Sequence, residues 1–289
     1  CESLEHVKLP HNLTKIGSGS FHSCYSLESI ILPSGLTEVG NHAFASCRSL
    51  TEILLPLNVR NIGKWSFHSC GSLETINLPD DIQAIGEGAF SGCDSLKSVK
   101  LPTAITSIER NTFDSCSSLT SLDVSNFNTE NVTFMQQMFQ DCSSLTSLDV
   151  SNFNTENATH MGSMFCNCSS LISLDVSNFN TEKVTNMEGT FQACSKLELL
   201  DLSSWNVSKC TTMGGMFNGC SLLKSIVMPN GESPVGVMNH MFVNCQSLTN
   251  IDFSGFIPTK LTSIAYMFSK CYSLKEIDLS TFKSDNVTY

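Results

Sequence analysis

Charge is scarce in this sequence: Asp, Glu, Lys and Arg make up 15% of its 289 residues. That is too little for a disordered acidic tail. No basic cluster offsets the net charge of −11, which argues against nucleic acid and anionic membrane surfaces as partners. No apolar run is long enough for a membrane-spanning helix, so membrane insertion by this chain is not expected. There is no starting Met and no signal peptide, and the chain opens and closes in mid-pattern; it reads as an excised fragment. The constellations of catalysis are missing too. We find no nucleophile–base pair, no Gly-rich phosphate loop and no catalytic carboxylate pair, and expect neither enzymatic activity nor a cofactor.

Cysteine, by contrast, is abundant, with 14 residues. There is no CxxC pair and no ladder of His partners, which disfavours metal binding and redox chemistry. Cys1, Cys24, Cys47, Cys70, Cys93 and Cys116 are spaced 23 residues apart, and Cys116, Cys142, Cys168, Cys194 and Cys220 are spaced 26 apart. Cys245 and Cys271 continue the series at 25 and 26. Such regularity marks an internal repeat, with each Cys as a small buried thiol at a turn. Cys210 stands where other copies have Val132, Ala158 and Val184, so it belongs to the core. Cys166 stands where other copies have Gln140, Gln192 and Asn218, so it is expected to be exposed.

Each repeat places leucine-like residues three, six and eight positions after its Cys, as in Leu73, Ile76 and Leu78 or Leu119, Leu122 and Val124. The last two alternate with polar positions, the signature of a strand with one face on a core. In the 23-residue form Pro10, Pro33, Pro56, Pro79 and Pro102 end the strand, and Gly17, Gly40, Gly63 and Gly86 mark a bend. In the 26-residue form Val132, Met135, Met138 and Phe139 are spaced three and four apart, which predicts a short helix. Val184, Met187 and Phe191 repeat it, as do Met213, Met216 and Phe217. The repeat starting at Cys220 is irregular and contains MPNGESPVGV. A unit of this size cannot bury its own apolar face, but stacked units can.

The expectation is therefore an α/β solenoid of stacked units with a parallel β-sheet; LxxLxL at this spacing resembles a leucine-rich repeat, which implies a leucine-rich-repeat solenoid with one parallel β-sheet on its concave face and turns or short helices on its convex face. It would be a single domain over 1–289, with 23-residue repeats over 1–115 and repeats of about 26 over 116–289. The form CxSLxxIxLPxxLxxIGxxAFxxC resembles the BspA-like or Treponema-type leucine-rich repeat. The form LDVSNFNTENVTxMxxMF resembles the related repeat of bacterial surface proteins and lipoproteins. The resemblance implies an extracellular, cell-surface location. It also implies a protein partner: a host matrix or cell-surface protein, or another microbe.

The candidate binding residues lie on the outward row of the strands. In the short repeats that row reads Lys8, Ile31, Leu54, Asn77 and Lys100. Ile31 and Leu54 are adjacent apolar side chains on a face expected to be wet, and Leu199 and Val227 resemble them further along. In the long repeats the row carries Asp123, Asp149, Asp175 and Asp201, then Asp252 and Asp278 after a gap. Side chains on adjacent strands stand about 5 Å apart. Two bare carboxylates at that spacing repel by roughly 1 kcal/mol in water and about 3 at an effective dielectric of 20. Three compensations are open: hydrogen bonds from Ser125, Ser151, Ser177 and Ser203, a raised carboxyl pKa, or a bridging cation such as Ca²⁺. The first is favoured. Asn12, Asn131, Asn157, Asn167, Asn206 and Asn286 match the glycosylation triplet, but most arise from the repeat and read as turn residues. Two functions remain open. One is a binding module that uses the concave sheet. The other is a passive spacer with no ligand of its own.

Overall fold

A computed structural model describes residues 1–102, 105, 109–127 and 129–282. The described residues fall into two compact units. One comprises Cys1–Thr129 with Met138–Leu148, the other Glu130–Gln137 with Asp149–Tyr289. Each is a parallel β-solenoid of stacked coils.

In the first unit the repeat supplies two strands per coil, where one sheet was expected. Glu52–Leu54, Thr75–Asn77 and Ser98–Val99 pair in parallel at the LxxLxL position. Lys15–Ile16, Glu38–Val39, Asn61–Ile62 and Ala84–Ile85 form a second parallel sheet from the residues just before the recurring glycines Gly17, Gly40, Gly63 and Gly86. Pro33, Pro56 and Pro79 close the turn between the two, their carbonyls accepting from Leu36, Val59 and Ile82. Gly63 is needed for coil spacing: a Cβ there would sit 2.5 Å from the backbone N of Asn41 and C of Gly40.

In the second unit Leu199–Asp201, Ser225–Val227 and Asn250–Asp252 pair in parallel. The irregular repeat adds Gly231–Ser233 alongside Phe256–Pro258. A ladder of single parallel bridges runs through Phe134, His160, Asn186, Thr212, Val237 and Ser263.

The predicted helix does not form. Among the described residues there is no helix, and hence none long and apolar enough to cross a membrane. The backbone reason is regular. Two residues per coil, four apart, adopt left-handed φ: His42 and Ser46, Trp65 and Ser69, Ser163 and Asn167, His240 and Asn244. The second always precedes the repeat's Cys. A left-handed residue costs about 1–2 kcal/mol and breaks a right-handed helix. The hydrogen bonds show what offsets that cost. Met161, Ser163, Phe165 and Asn167 donate their N–H groups to Asn186, Glu188, Thr190 and Gln192 of the next coil at 2.6–3.0 Å. The alternate residues Met164, Cys166 and Cys168 donate to Met161, Ser163 and Phe165 within their own coil. Neither set is the i→i−4 pattern of an α-helix.

The core is built of rows that run from coil to coil. Phe21, Phe44, Phe67, Phe90, Phe113 and Phe139 stack with ring centroids 5.3–6.4 Å apart. Phe165, Phe191, Phe217, Phe242 and Phe268 do the same in the second unit. Beside them runs the cysteine row. The Sγ of Cys70, Cys93 and Cys116 donates to the carbonyl of Phe44, Phe67 and Phe90 at 3.1–3.3 Å. Cys194, Cys220 and Cys245 repeat the contact with Phe165, Phe191 and Phe217. These thiols are free, and burial pushes their pKa up, to about 12 at Cys220. Cys210 is buried as expected, but Cys166 is half-buried, since the turn that carries it is stitched to the next coil.

The threonines of the NTENVT segment link coils in the same way. Thr159, Thr185 and Thr211 form a chain in which each of the last two donates its hydroxyl to the carbonyl of the one before, at 3.2 and 3.0 Å. Thr155 and Thr181, both buried, donate to Asn180 and Asn206. Of the triplet asparagines, Asn206 accepts from the N–H two residues on and Asn167 is left-handed, so these two act as turn residues, while Asn157 donates to the Glu130 carbonyl and accepts from Lys183. Asn286 lies outside the described residues.

Candidate binding surfaces

The outward strand row is set by the period of two. In the first unit Ile30 and Leu32 are buried, while Ile31 between them is 88% exposed. Ile53 and Leu55 bracket Leu54, which is 68% exposed. Leu54 lies in register with Asn77 on the next strand. Lys8, Asn77 and Lys100 are also exposed. Lys8 and Ile31 line one recess of about 410 Å³, together with Val7, Leu9, His11 and Pro33. Lys100 is not free, since its Nζ lies 3.3 Å from Asp80 Oδ1. Three residues before Lys100, Lys97 pairs with Glu74 at 2.7 Å, so the charge near this end of the row is partly neutralised. Asp123 completes the set in this unit and is exposed.

Asp149, Asp175, Asp201 and Leu199 stand exposed on the second unit, with Leu199 at 62%. Val227 is half-buried. Leu199, Val227, Asp175 and Asp201 line one groove of about 590 Å³ with Ser173, Ser177 and Ser225. Val227 is in register with Asp201 on one side and Asp252 on the other, so an apolar residue separates two carboxylates.

The aspartates cap the turn that follows the strand. Asp123, Asp149, Asp175, Asp201, Asp252 and Asp278 each accept through Oδ1 from the backbone N–H two residues on, at 2.8–3.0 Å. The donors are the expected serines or their equivalents, Ser254 and Ser280 among them. The Ser125 and Ser177 hydroxyls, followed by their N–H groups, hold Asp123 and Asp175 below the ordinary carboxylate range. At Asp201, Asp252 and Asp278 the backbone N–H is the larger cause and the serine hydroxyl the smaller. A raised pKa is therefore overturned for these five: the hydrogen bonds favour the charged form. Among the described residues no group of three or more His, Cys, Asp or Glu could hold a metal ion.

Several exposed apolar residues escaped the sequence reading, among them Leu57, Ile172, Tyr266 and Tyr272. Leu57 is 77% exposed on the turn after Pro56. The signal was there: neighbouring repeats have Ser34 and Asp80 at the same place.

Residues 1–120 match the family described as BspA type leucine rich repeat region, in six copies. Residues 106–230 and 185–289 match the family described as Mycoplasma protein of unknown function, DUF285. No curated protein matches the chain. Among solved structures, a leucine-rich repeat protein from Bacteroides ovatus is 28% identical, with a TM-score of 0.56. The match covers 96% of this chain and 61% of that one, so this chain spans less than two thirds of its relative. A leucine rich cell surface protein from Faecalibacterium prausnitzii shares the fold at 21% identity and a TM-score of 0.51, covering 96% of this chain and 78% of that one. The pneumococcal vaccine antigen PcpA does so at 18% and 0.50, covering 98% and 77%.

Proposed function

The chain belongs to the family described as Mycoplasma protein of unknown function, DUF285, with a BspA type leucine rich repeat region at residues 1–120, and from that premise we propose that it is an extracellular, cell-surface protein-binding module. The observation that carries this reading is the pair Ile31 and Leu54, 88% and 68% exposed on the outward row of successive coils. Leu54 is held out by the strand Glu52–Leu54 and Ile31 by the equivalent segment one coil earlier, so each is a preorganised contact with little ordering cost left to meet. Burying it against a partner contributes about 1.5–3 kcal/mol per residue. Lys8, Asn77 and Lys100 form the polar surround on the first unit. Leu199 and Val227, flanked by Asp175 and Asp201, offer a second contact area suited to a partner with basic residues. The partner class is protein, of the host matrix, the host cell surface or another microbe.

The test is a pull-down of the fragment against extracellular-matrix proteins and intact host cells, with wild type and with Ile31→Ser/Leu54→Ser. Saturable binding that the double variant loses, at an unchanged melting temperature, supports the module. A large fall in melting temperature would mean that these residues are core. Wild-type protein that binds nothing would leave the chain a passive spacer.

A further inference from the structure

The turn side of the second unit carries a recess that the strand-row reading does not use. Gly214 and Gly215 form its floor, and they are the chain's one pair of adjacent glycines. The same two places hold Glu188 and Gly189 one coil earlier, and Asn239 and His240 one coil later. Gly214 thus lacks the side chain that Glu188 and Asn239 carry, Gly215 follows Gly189 in having none, and a recess of about 500 Å³ opens between Glu188 and Gln192 on one wall and Asn239 and His240 on the other. Asn218 closes one end, Thr212 and Val237 the other.

The polar groups converge on that floor. Glu188 Oε1 lies 3.9 Å from where a Cβ on Gly214 would stand, and Gln192 Oε1 lies 3.5 Å from a Cβ on Gly215. The Glu188 carboxylate and the side-chain amides of Gln192 and Asn218 have no hydrogen-bond or ion-pair partner among the described residues. Asn239 Oδ1 is engaged by Ser263 Oγ at 2.6 Å and by Ala265 N at 2.8 Å, so its NH₂ is the group left to donate. At the rim the His240 ring is backed by Tyr266, stacked at 5.3 Å and 72% exposed.

A basic side chain would satisfy only acceptors and would leave three amide NH₂ groups idle. Hydroxyl groups both donate and accept, and a row of them on a ring matches one carboxylate, three carboxamides and a flat aromatic edge. We propose that this recess binds a saccharide. The sugar ring lies over Gly214 and Gly215, and its hydroxyls bond to Glu188, Gln192, Asn218 and Asn239. This site is independent of the strand-row surfaces proposed above.

The experiment is saturation-transfer NMR of the whole chain with glucose, galactose, mannose and N-acetylglucosamine, each up to about 20 mM to reach millimolar Kd, followed by a glycan array. The variant is Gly214→Gln. A Cβ there meets only ordinary contacts, 3.6 Å to Asn239 O and 3.9 Å to Glu188 Oε1, and Gln136 already occupies this place in its own repeat. The expected result is saturable binding of at least one sugar or glycan, weakened at least tenfold in Gly214→Gln and in Glu188→Ala, with melting temperatures unchanged. Binding that survives Gly214→Gln overturns the proposal, as does the absence of any binding. Nα-acetyl-lysine amide is run alongside; if it binds through Glu188 while no sugar does, the recess is a seat for a basic peptide.

Discussion

Replacing Phe67 by Ala tests the solenoid at its most repetitive feature. Phe67 is fully buried and stacks on Phe44 at 5.5 Å and on Phe90 at 5.9 Å. Truncating a buried Phe costs about 3–5 kcal/mol. Each aromatic pair adds about 0.5–1.5 kcal/mol beyond area burial. With two partners lost at once, Phe67→Ala belongs at the top of the range, about 4–5 kcal/mol. Phe21 is the internal control: it is half-buried and, among the described residues, stacks on Phe44 alone, at 5.3 Å. Phe21→Ala should cost about 1–3 kcal/mol. A repeat array need not unfold in one step, so a single global free energy is a poor readout. Native-state hydrogen exchange is better, because it reads each coil. The N–H groups of Phe44 and Ser69, bonded to Ser66 and Ser91 of the adjacent coils, should exchange about a thousandfold faster in Phe67→Ala. The N–H of Ser115, two coils on, should change much less. A loss under about 2 kcal/mol at Phe67, or equal losses at Phe67 and Phe21, would refute the idea that stacked rings carry the coil-to-coil energy.

Three further outcomes are expected. Gly63→Ala should destabilise the first unit by about 1–3 kcal/mol or more, since the 2.5 Å contacts are to backbone that cannot move aside; urea denaturation that matches wild type would show that the coils separate freely. Iodoacetamide at pH 8 should label exposed Cys1 first and leave Cys47 and Cys220 unmodified until unfolding, because burial holds both thiols at about 12; mass spectrometry showing early label on either would contradict that burial. Asp175 and Asp201 have lowered folded-state pKa values, so the stability they contribute is present above the unfolded value near 3.9 and lost as pH falls through the lower folded value. The melting temperature of Asp175→Asn/Asp201→Asn should therefore fall less steeply than wild type below about pH 4, and parallel curves would remove these carboxylates from the acid transition.

The capping of the strand-end turn was readable in the residues. An Asp on the outward row with a Ser two positions on has its donor within reach, and that local bond forms in repeat after repeat. Ile31 and Leu54 were readable for a similar reason: extended backbone alternates its faces, so one buried residue on each side puts the middle one out, whether or not the segment pairs as a strand, as Glu52–Leu54 does. The Met and Phe spacing misled. Met161, Met164 and Phe165 return to the core at intervals of three and four, as on a helix, yet they do so through turns with left-handed residues at Ser163 and Asn167. Periodicity reports which side chains face inward, not which backbone brings them there.

The linear order of residues determined the repeat, its two lengths, the buried rows of Leu, Phe and Cys, and the outward positions of the strands. All of these depend on spacing along one coil. Only the stacked coils decided that the turns are not helical, that the first unit carries two sheets, and that Gly214 and Gly215 lie between Glu188 and His240 as the floor of a recess. These features depend on contacts between coils about 23–29 residues apart, where backbone N–H groups choose the next coil's carbonyls over their own. That choice is energetic and collective: no single repeat has the partner that settles it.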